Sequence, residues 1–183
     1  MIESLEVRWF LPGPIPRSVH DWFEALGETL ADEARTDRYL IPTESDSLGL
    51  KVREGRIEAK QRIETGELCQ WGAAEASPGT WRKWSLGLAT DATLAPGWAD
   101  VAKRRRQRWV KGDGAACALE LAEVVLEGKT WWSVCLEASG GEPVARQRVL
   151  WEAAGQWLDR PDAPALSTDA ACGYPAWLRR EVG

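Results

Sequence analysis

Histidine and cysteine are scarce in this chain, and their scarcity excludes several kinds of site. His20 is the single histidine, so a catalytic Ser-His or Cys-His pair has little support. The four cysteines are widely spaced and form no C-x-x-C motif. This spacing argues against a metal cluster or a disulfide framework, and it indicates four reduced thiols in a cytoplasmic protein.

The chain also lacks any apolar run near the roughly 20 residues that a membrane-spanning helix needs. Its first six residues are already charged and do not resemble a signal peptide. We therefore expect no membrane association. The net charge is −5, which argues against broad nucleic-acid binding because such binding depends on a basic surface.

Phenylalanine and tyrosine are rare, with two of each, whereas tryptophan occurs 12 times. Two interpretations are open. The tryptophans fill the core in place of other aromatics, or some of them form an exposed surface for a protein partner. We favour the core.

Charged and apolar residues alternate in several short segments, as in strands with one polar face. The clearest case is a hairpin in which Lys51 and Arg53 share a face with Glu58, Lys60 and Arg62 of the next strand. The polar face of all such segments carries seven cations, Arg8, Lys51, Arg53, Lys60, Arg62, Lys103 and Arg105, and four anions, Glu6, Glu58, Glu120 and Glu137. This local excess of positive charge favours a compact polyanion such as a polyphosphate.

Two helices are expected among these strands. Apolar residues at helical spacing predict a helix that is capped by Ser18 and ends near Ala34. A second helix is expected after Gly140-Gly141, with Pro143 near its first turn. Residues 64–79 are predicted to form a loop with one poor strand inside it, and residues 91–97 a second loop.

Seven or eight strands joined mainly by hairpins, with two helices, indicate an α+β antiparallel protein. Two environments are then possible for the polar face. It faces water on one side of an open sheet, or the sheet closes into a barrel and the polar face lines a channel.

Six short motifs, taken in order, resemble those of the CYTH superfamily of triphosphate tunnel metalloenzymes, which includes thiamine triphosphatases, inorganic triphosphatases and class IV adenylyl cyclases. The motifs are Ser4-x-Glu6-x-Arg8, Lys51-x-Arg53, Glu58-Ala59-Lys60, Val101-Ala102-Lys103-Arg104-Arg105, Ala118-Leu119-Glu120-Leu121 and Cys135-x-Glu137. The resemblance implies an eight-stranded antiparallel β-barrel, or tunnel, with a charged interior and flanking helices. It places the tunnel domain at 1–160 and leaves 161–183 as a C-terminal tail that packs back on it.

The resemblance also implies roles for the charged residues. The seven cations would bind the phosphates of the substrate, and Glu6, Glu120 and Glu137 would be catalytic and would hold Mg²⁺ or Mn²⁺. Ser4 and Cys135 stand where the family has carboxylates, and a cysteine is a poor ligand for a hard cation. Two alternative functions therefore follow from the sequence. One is a metal-dependent triphosphatase, and the other is a non-catalytic module that binds a small-molecule polyphosphate or a nucleotide.

Overall fold

The computed structural model describes residues 1–27, 31–42, 44–87, 97–112 and 114–182. These residues form ten strands, three α-helices and a short 3₁₀ helix at Thr168–Ala170. The strands are β1 (Ile2–Pro12), β2 (Ala31–Leu40), β3 (Leu48–Arg53), β4 (Arg56–Thr65), β5 (Cys69–Trp71), β6 (Ala74–Ala76), β7 (Gly79–Gly87), β8 (Trp98–Gly112), β9 (Ala115–Leu126) and β10 (Lys129–Gly140). The helices are α1 (Arg17–Ala25), α2 (Pro143–Leu158) and α3 (Tyr174–Val182).

Eight of these strands close into a barrel in the order β1-β10-β9-β8-β2-β3-β4-β7, with β7 pairing back to β1. Every neighbouring pair is antiparallel. The predicted eight-stranded antiparallel barrel is therefore confirmed, and the open-sheet alternative is wrong. Closure leaves no strand edge in the main sheet, since each strand has a partner on both sides.

Alternation along the strands separates an apolar outside from a charged inside. On β1, Val7 and Trp9 belong to the main apolar core, whereas Glu6 and Arg8 border the barrel cavity. The register places Glu6 opposite Glu137 on β10. Because side chains of directly paired residues lie on the same face of a sheet, these two carboxylates meet inside the barrel.

The apolar outer face of β1, β9 and β10 is covered by α1 and α2. Leu150 and Trp157 of α2 are buried there beside Trp22 of α1. The indole of Trp22 donates a hydrogen bond of 3.1 Å to the Trp157 carbonyl and so ties the two helices together. Seven of the 12 tryptophans are buried, namely Trp9, Trp22, Trp71, Trp81, Trp132, Trp157 and Trp177. This burial agrees with tryptophan as the main filler of the core.

The first helix is shorter than predicted. It is capped by Pro16 instead of Ser18 and ends at Ala25, whereas Ala34 lies in strand β2. The physical reason is Gly27, whose positive φ of 109° cannot continue a helix. The second helix begins at Pro143, as predicted, and it buries its apolar stripe.

The predicted loop at 64–79 contains a small hairpin, β5–β6, which forms its own two-stranded sheet. Trp71 and Ala74 of this hairpin are part of the main core. The predicted loop at 91–97 falls largely outside the described residues. All four cysteines are free. Among the described helices, none is long and apolar enough to cross a membrane.

The C-terminal helix α3 covers one end of the barrel. Trp177 is completely buried and stacks on Phe10 of β1, with ring centroids 4.6 Å apart. Both belong to a second apolar cluster that includes Val124 of β9. Tyr174 and Pro175, at the start of α3, border the cavity. The remaining interior of the barrel is consequently lined by charge on its walls and by α3 at this end.

Candidate functional site

The barrel encloses a cavity of about 350 Å³, within the range of sites for small ligands. Side chains of all eight barrel strands reach it. Its cations are Arg8, Arg35, Lys51, Arg53, Lys60, Lys83, Lys103 and Arg105, and its anions are Glu6, Glu58, Glu120 and Glu137. Most of these charges belong to groups, and two of the groups each surround one buried carboxylate.

The first group surrounds Glu58 on β4. Lys51 and Arg53 of β3 and Lys83 of β7 lie 3.3, 3.9 and 3.2 Å from its carboxylate oxygens. Burial raises the pKa of Glu58, but the charges of Lys51 and Lys83 outweigh burial, and the pKa lies below its usual value. Glu58 is therefore an ionised centre with three cations around it.

The second group surrounds Glu120 on β9. Arg8, Lys103 and Arg105 lie 2.9, 2.6 and 3.2 Å from its carboxylate oxygens. Glu120 is buried, and burial raises its pKa, yet Lys103 and Arg8 hold the pKa well below its usual value. This group repeats the composition of the first, with one carboxylate and three cations.

The two groups lie on opposite walls. In the closed strand order, β4 and β9 are four strands apart in either direction around a barrel of eight. Glu58 on β4 and Glu120 on β9 therefore face each other across the cavity. Each wall carries more positive than negative charge, so an anion between the walls is attracted from both sides.

A third group joins the walls. The ammonium group of Lys60 contacts Glu6 and lies 2.9 Å from Glu137. Burial lowers the pKa of Lys60, but Glu137 and Glu6 raise it above its usual value. The same contact, together with a hydrogen bond from the Ser4 hydroxyl, lowers the pKa of Glu137 to about 2 against the effect of burial. Lys60 and Glu137 are therefore charged at neutral pH.

Two further acids on the inward face of β2 neutralise part of this excess positive charge without lining the cavity themselves. Asp37 is buried and accepts hydrogen bonds from Lys51 at 2.9 Å and Arg35 at 3.2 Å. Glu33 contacts Arg35 and Arg105 at 2.8 and 2.6 Å. The hydrogen bond from Arg35 lowers the pKa of Glu33 to about 2.

Aromatic side chains border the cavity beside these charges. Tyr39 and Tyr174 are stacked with centroids 4.9 Å apart, and the Arg8 guanidinium lies 5.1 Å from the Tyr174 ring. The Trp81 ring lies 5.5 Å from the Lys60 ammonium. Such cation–π contacts hold long cationic side chains in place.

Six of the seven cations predicted to bind substrate border this one cavity. Arg62 is the exception, because it borders a separate pocket of about 50 Å³ and contacts Asp46 at 3.5 Å. A β-bulge follows Arg62 in β4 and shifts the pairing with β7. All three predicted catalytic and metal-binding glutamates, Glu6, Glu120 and Glu137, border the main cavity.

Sequence reasoning missed Arg35, and it left the facing of Lys83 undecided. The sequence around Arg35 carries charge on both faces of β2 and so gives no alternating signal. Tryptophans on both faces of β7 hid the orientation of Lys83. The register resolves it, since Lys83 pairs with the inward-facing Lys60.

The three glutamates do not form a metal-binding set in this arrangement. Among the described residues, no group of three acidic, histidine or cysteine side chains is placed to hold a metal ion. The Ser4 hydroxyl is engaged by Glu137 at 2.9 Å. Cys135 is buried, and burial raises the pKa of its thiol well above its usual value, so it offers no thiolate. The predicted Mg²⁺ or Mn²⁺ stays a prediction, and this donor set argues against it.

No protein-family model matches the chain, and no curated protein matches it significantly. Among solved structures, the chain is similar to the PH1012 protein from Pyrococcus horikoshii OT3. The two share 15% sequence identity over 91% of this chain and 93% of that chain, with a TM-score of 0.47. This likeness is too distant to support a family or an activity.

Proposed function

We propose that the barrel cavity binds a small anion with several phosphates, such as a triphosphate-containing molecule, a nucleotide or a short inorganic polyphosphate. The observation that carries the proposal is the surplus of positive charge inside an acidic protein. Eight cations and four glutamates give the lining a net charge of +4. Counting Asp37 and Glu33 as well leaves +2, within a chain of net charge −5.

Placing like charges together inside a barrel costs free energy unless a counter-charge offsets their repulsion. A bound polyanion supplies that counter-charge. Since the two cation groups lie on opposite walls around Glu58 and Glu120, an anion with charge on several linked phosphates is attracted by both groups. A single phosphate carries less charge to share between them. The geometry therefore favours polyphosphates over orthophosphate.

We also propose that the chain is a divergent member of the CYTH superfamily. The support is the ordered series of charged motifs together with a closed eight-stranded barrel that turns those motifs inward. Catalysis by Glu6, Glu120 and Glu137 and a cytoplasmic location both stay predictions. Phosphate release from tripolyphosphate is the direct assay for catalysis.

Isothermal titration calorimetry with tripolyphosphate and orthophosphate tests the proposed binding. We expect tripolyphosphate to bind at least tenfold more tightly than orthophosphate at equal ionic strength, a difference of about 1.4 kcal/mol. Lys51→Gln is expected to weaken binding, because Lys51 belongs to the Glu58 group.

Arg104→Gln is the matched control. Arg104 lies between Lys103 and Arg105 on β8, but it is exposed on the outside of the barrel and pairs with Asp32. The control removes the same charge and is expected to leave tripolyphosphate affinity within about twofold. Equal losses in the two variants, or no binding of tripolyphosphate at all, would refute the proposal.

A further inference from the structure

Three of the four glutamates that line the cavity are joined into one continuous series of ion pairs by two cations of the protein itself. Lys60 bridges Glu137 and Glu6. Arg8 then bridges Glu6 and Glu120, at 3.3 Å through Nε and 2.9 Å through Nη1. The series therefore runs Glu137–Lys60–Glu6–Arg8–Glu120 along the interior wall formed by the neighbouring strands β1, β10 and β9, and Lys60 reaches it from β4.

The bridging cations occupy the positions between carboxylates where a divalent ion would have to bind. An ion between Glu6 and Glu137 has to displace the Lys60 ammonium, and an ion between Glu6 and Glu120 has to displace the Arg8 guanidinium. Both displaced groups are tethered to barrel strands, and Arg8 is itself buried. They would remain nearby as uncompensated charges that repel the incoming ion.

The remaining donors do not favour a hard cation either. Ser4 on β1 offers a hydroxyl that is already hydrogen-bonded to Glu137. Cys135 of β10, which pairs with Glu120 of β9, offers only a buried sulfur atom, a poor ligand for a hard cation. Mg²⁺ releases its water reluctantly and requires oxygen ligands in a near-octahedral arrangement. Two of the oxygen donors that such a site would need are thus absent or engaged.

We infer that the cavity binds its polyphosphate without a divalent metal ion, with Lys60 and Arg8 providing the positive charge between the glutamates. This inference rests on the proposed function, because it describes how that same anion is held. A metal-dependent site would need Mg²⁺ to bind the polyphosphate, whereas the inferred site is expected to bind it equally or less tightly when Mg²⁺ is present. Free Mg²⁺ forms a complex with tripolyphosphate in solution and lowers its negative charge, so it competes with the protein for the ligand.

The first test measures tripolyphosphate binding by calorimetry in EDTA and again in excess Mg²⁺. We expect binding in EDTA, and an apparent affinity that is unchanged or reduced in Mg²⁺. Binding that occurs only with Mg²⁺ or Mn²⁺ present would overturn the inference while leaving the proposed function intact.

The second test needs no anion and separates failure of the inference from failure of the proposed function. Mn²⁺ is titrated into the protein alone, and its binding is followed by electron paramagnetic resonance. The wild-type protein is expected to show no saturable binding at millimolar Mn²⁺. Saturable binding that is lost in Glu6→Gln or Glu137→Gln would overturn the inference, whether or not any anion binds.

A pair of lysine variants completes the second test. Lys60→Gln releases Glu6 and Glu137 from their shared cation and is expected to produce saturable Mn²⁺ binding at millimolar concentration, which wild type lacks. Lys83→Gln is the matched control, because Lys83 is a cavity lysine that contacts Glu58 and neither of those two glutamates. Equal gains in both variants would show a general charge effect and would count against the bridging role of Lys60. The measurement on wild-type protein stands even where Lys60→Gln fails to fold.

Discussion

At the scale of single residues, Glu58 has two opposing effects on an incoming anion. It attracts Lys51, Arg53 and Lys83 and so holds cations from two neighbouring strands in one place. Its own negative charge also repels the anion from the same place. Which of the two effects is larger depends on whether the three cations keep their positions when the Glu58 carboxylate is removed. The barrel strands fix the backbone on both sides, so we expect most of the arrangement to persist.

Glu58→Gln is therefore expected to strengthen tripolyphosphate binding by several-fold and to weaken the fold. Removing one partner of a fully buried ion pair costs about 3–5 kcal/mol, and the partial exposure of Lys83 and Arg53 reduces our expectation to about 2 kcal/mol. Calorimetry and urea unfolding measure the two effects. Glu123→Gln, on the outer face of β9, is the control and is expected to change neither. Weaker binding in Glu58→Gln would show that positioning the cations matters more than the repulsion.

Glu137 allows a prediction about acid stability. Its folded-state pKa of about 2 lies below the ordinary value of 4.5. A carboxylate with a lowered pKa stabilises the fold fully above its unfolded pKa, and this contribution is lost as the pH falls through the folded value. The free energy of unfolding of wild type is expected to exceed that of Glu137→Gln by a constant amount above about pH 5. This difference is expected to shrink as the pH falls to about 2.

Urea unfolding of both proteins across this range measures that difference. Glu67→Gln, an exposed change, serves as the control and is expected to show no such trend. A difference that stays constant down to pH 2 would contradict the lowered pKa.

At the scale of elements, the alternating pattern located the strands whose outer face is apolar. The β3–β4 hairpin was predicted because Leu50 and Val52 alternate with charged residues. Strand β2 was missed, since its outer face carries Asp32 and Arg38 and is solvated. Its partners β3 and β8 determine its conformation through backbone pairing, which leaves no mark in the local sequence.

Helix α3 gives a prediction about the end of the barrel. Trp177 is fully buried and stacked on Phe10, so Trp177→Ala is expected to destabilise the protein by about 3–5 kcal/mol. Urea unfolding measures the loss. Trp109→Ala is the matched control, because Trp109 is 39% exposed on β8, and we expect a loss of less than about 1 kcal/mol there. Similar losses at the two positions would show that α3 contributes little to the closure of the barrel.

At the scale of the whole molecule, the strand order determines which charges meet. The sequence showed that Glu58 and Glu120 lie on polar faces, but their positions on opposite walls follow from closure of the sheet. The inward charges of the β1, β3, β4, β8, β9 and β10 motifs were predictable residue by residue. The grouping of three cations around one glutamate was not, because it depends on contacts between strands that are far apart in the chain.

The distribution of charge over the molecule leads to the last prediction. The whole chain has 23 cations and 28 anions. Removing the eight cations and four glutamates of the cavity leaves 15 cations and 24 anions, a net charge of −9 for the rest. A long polyanion is therefore repelled by the outside of the barrel, whereas a short one that fits within the cavity is attracted by its interior.

We expect a single-stranded oligonucleotide, added at the same phosphate concentration as bound tripolyphosphate, to displace almost none of it at low salt. A short polyphosphate such as pyrophosphate should compete measurably in the same assay. The contrast is expected to diminish as salt screens the outer charge over a Debye length of about 10 Å at 0.1 M. If the oligonucleotide displaced tripolyphosphate as efficiently as pyrophosphate does, the binding surface would lie outside the barrel, and the outer negative charge would not prevent a long polyanion from reaching it.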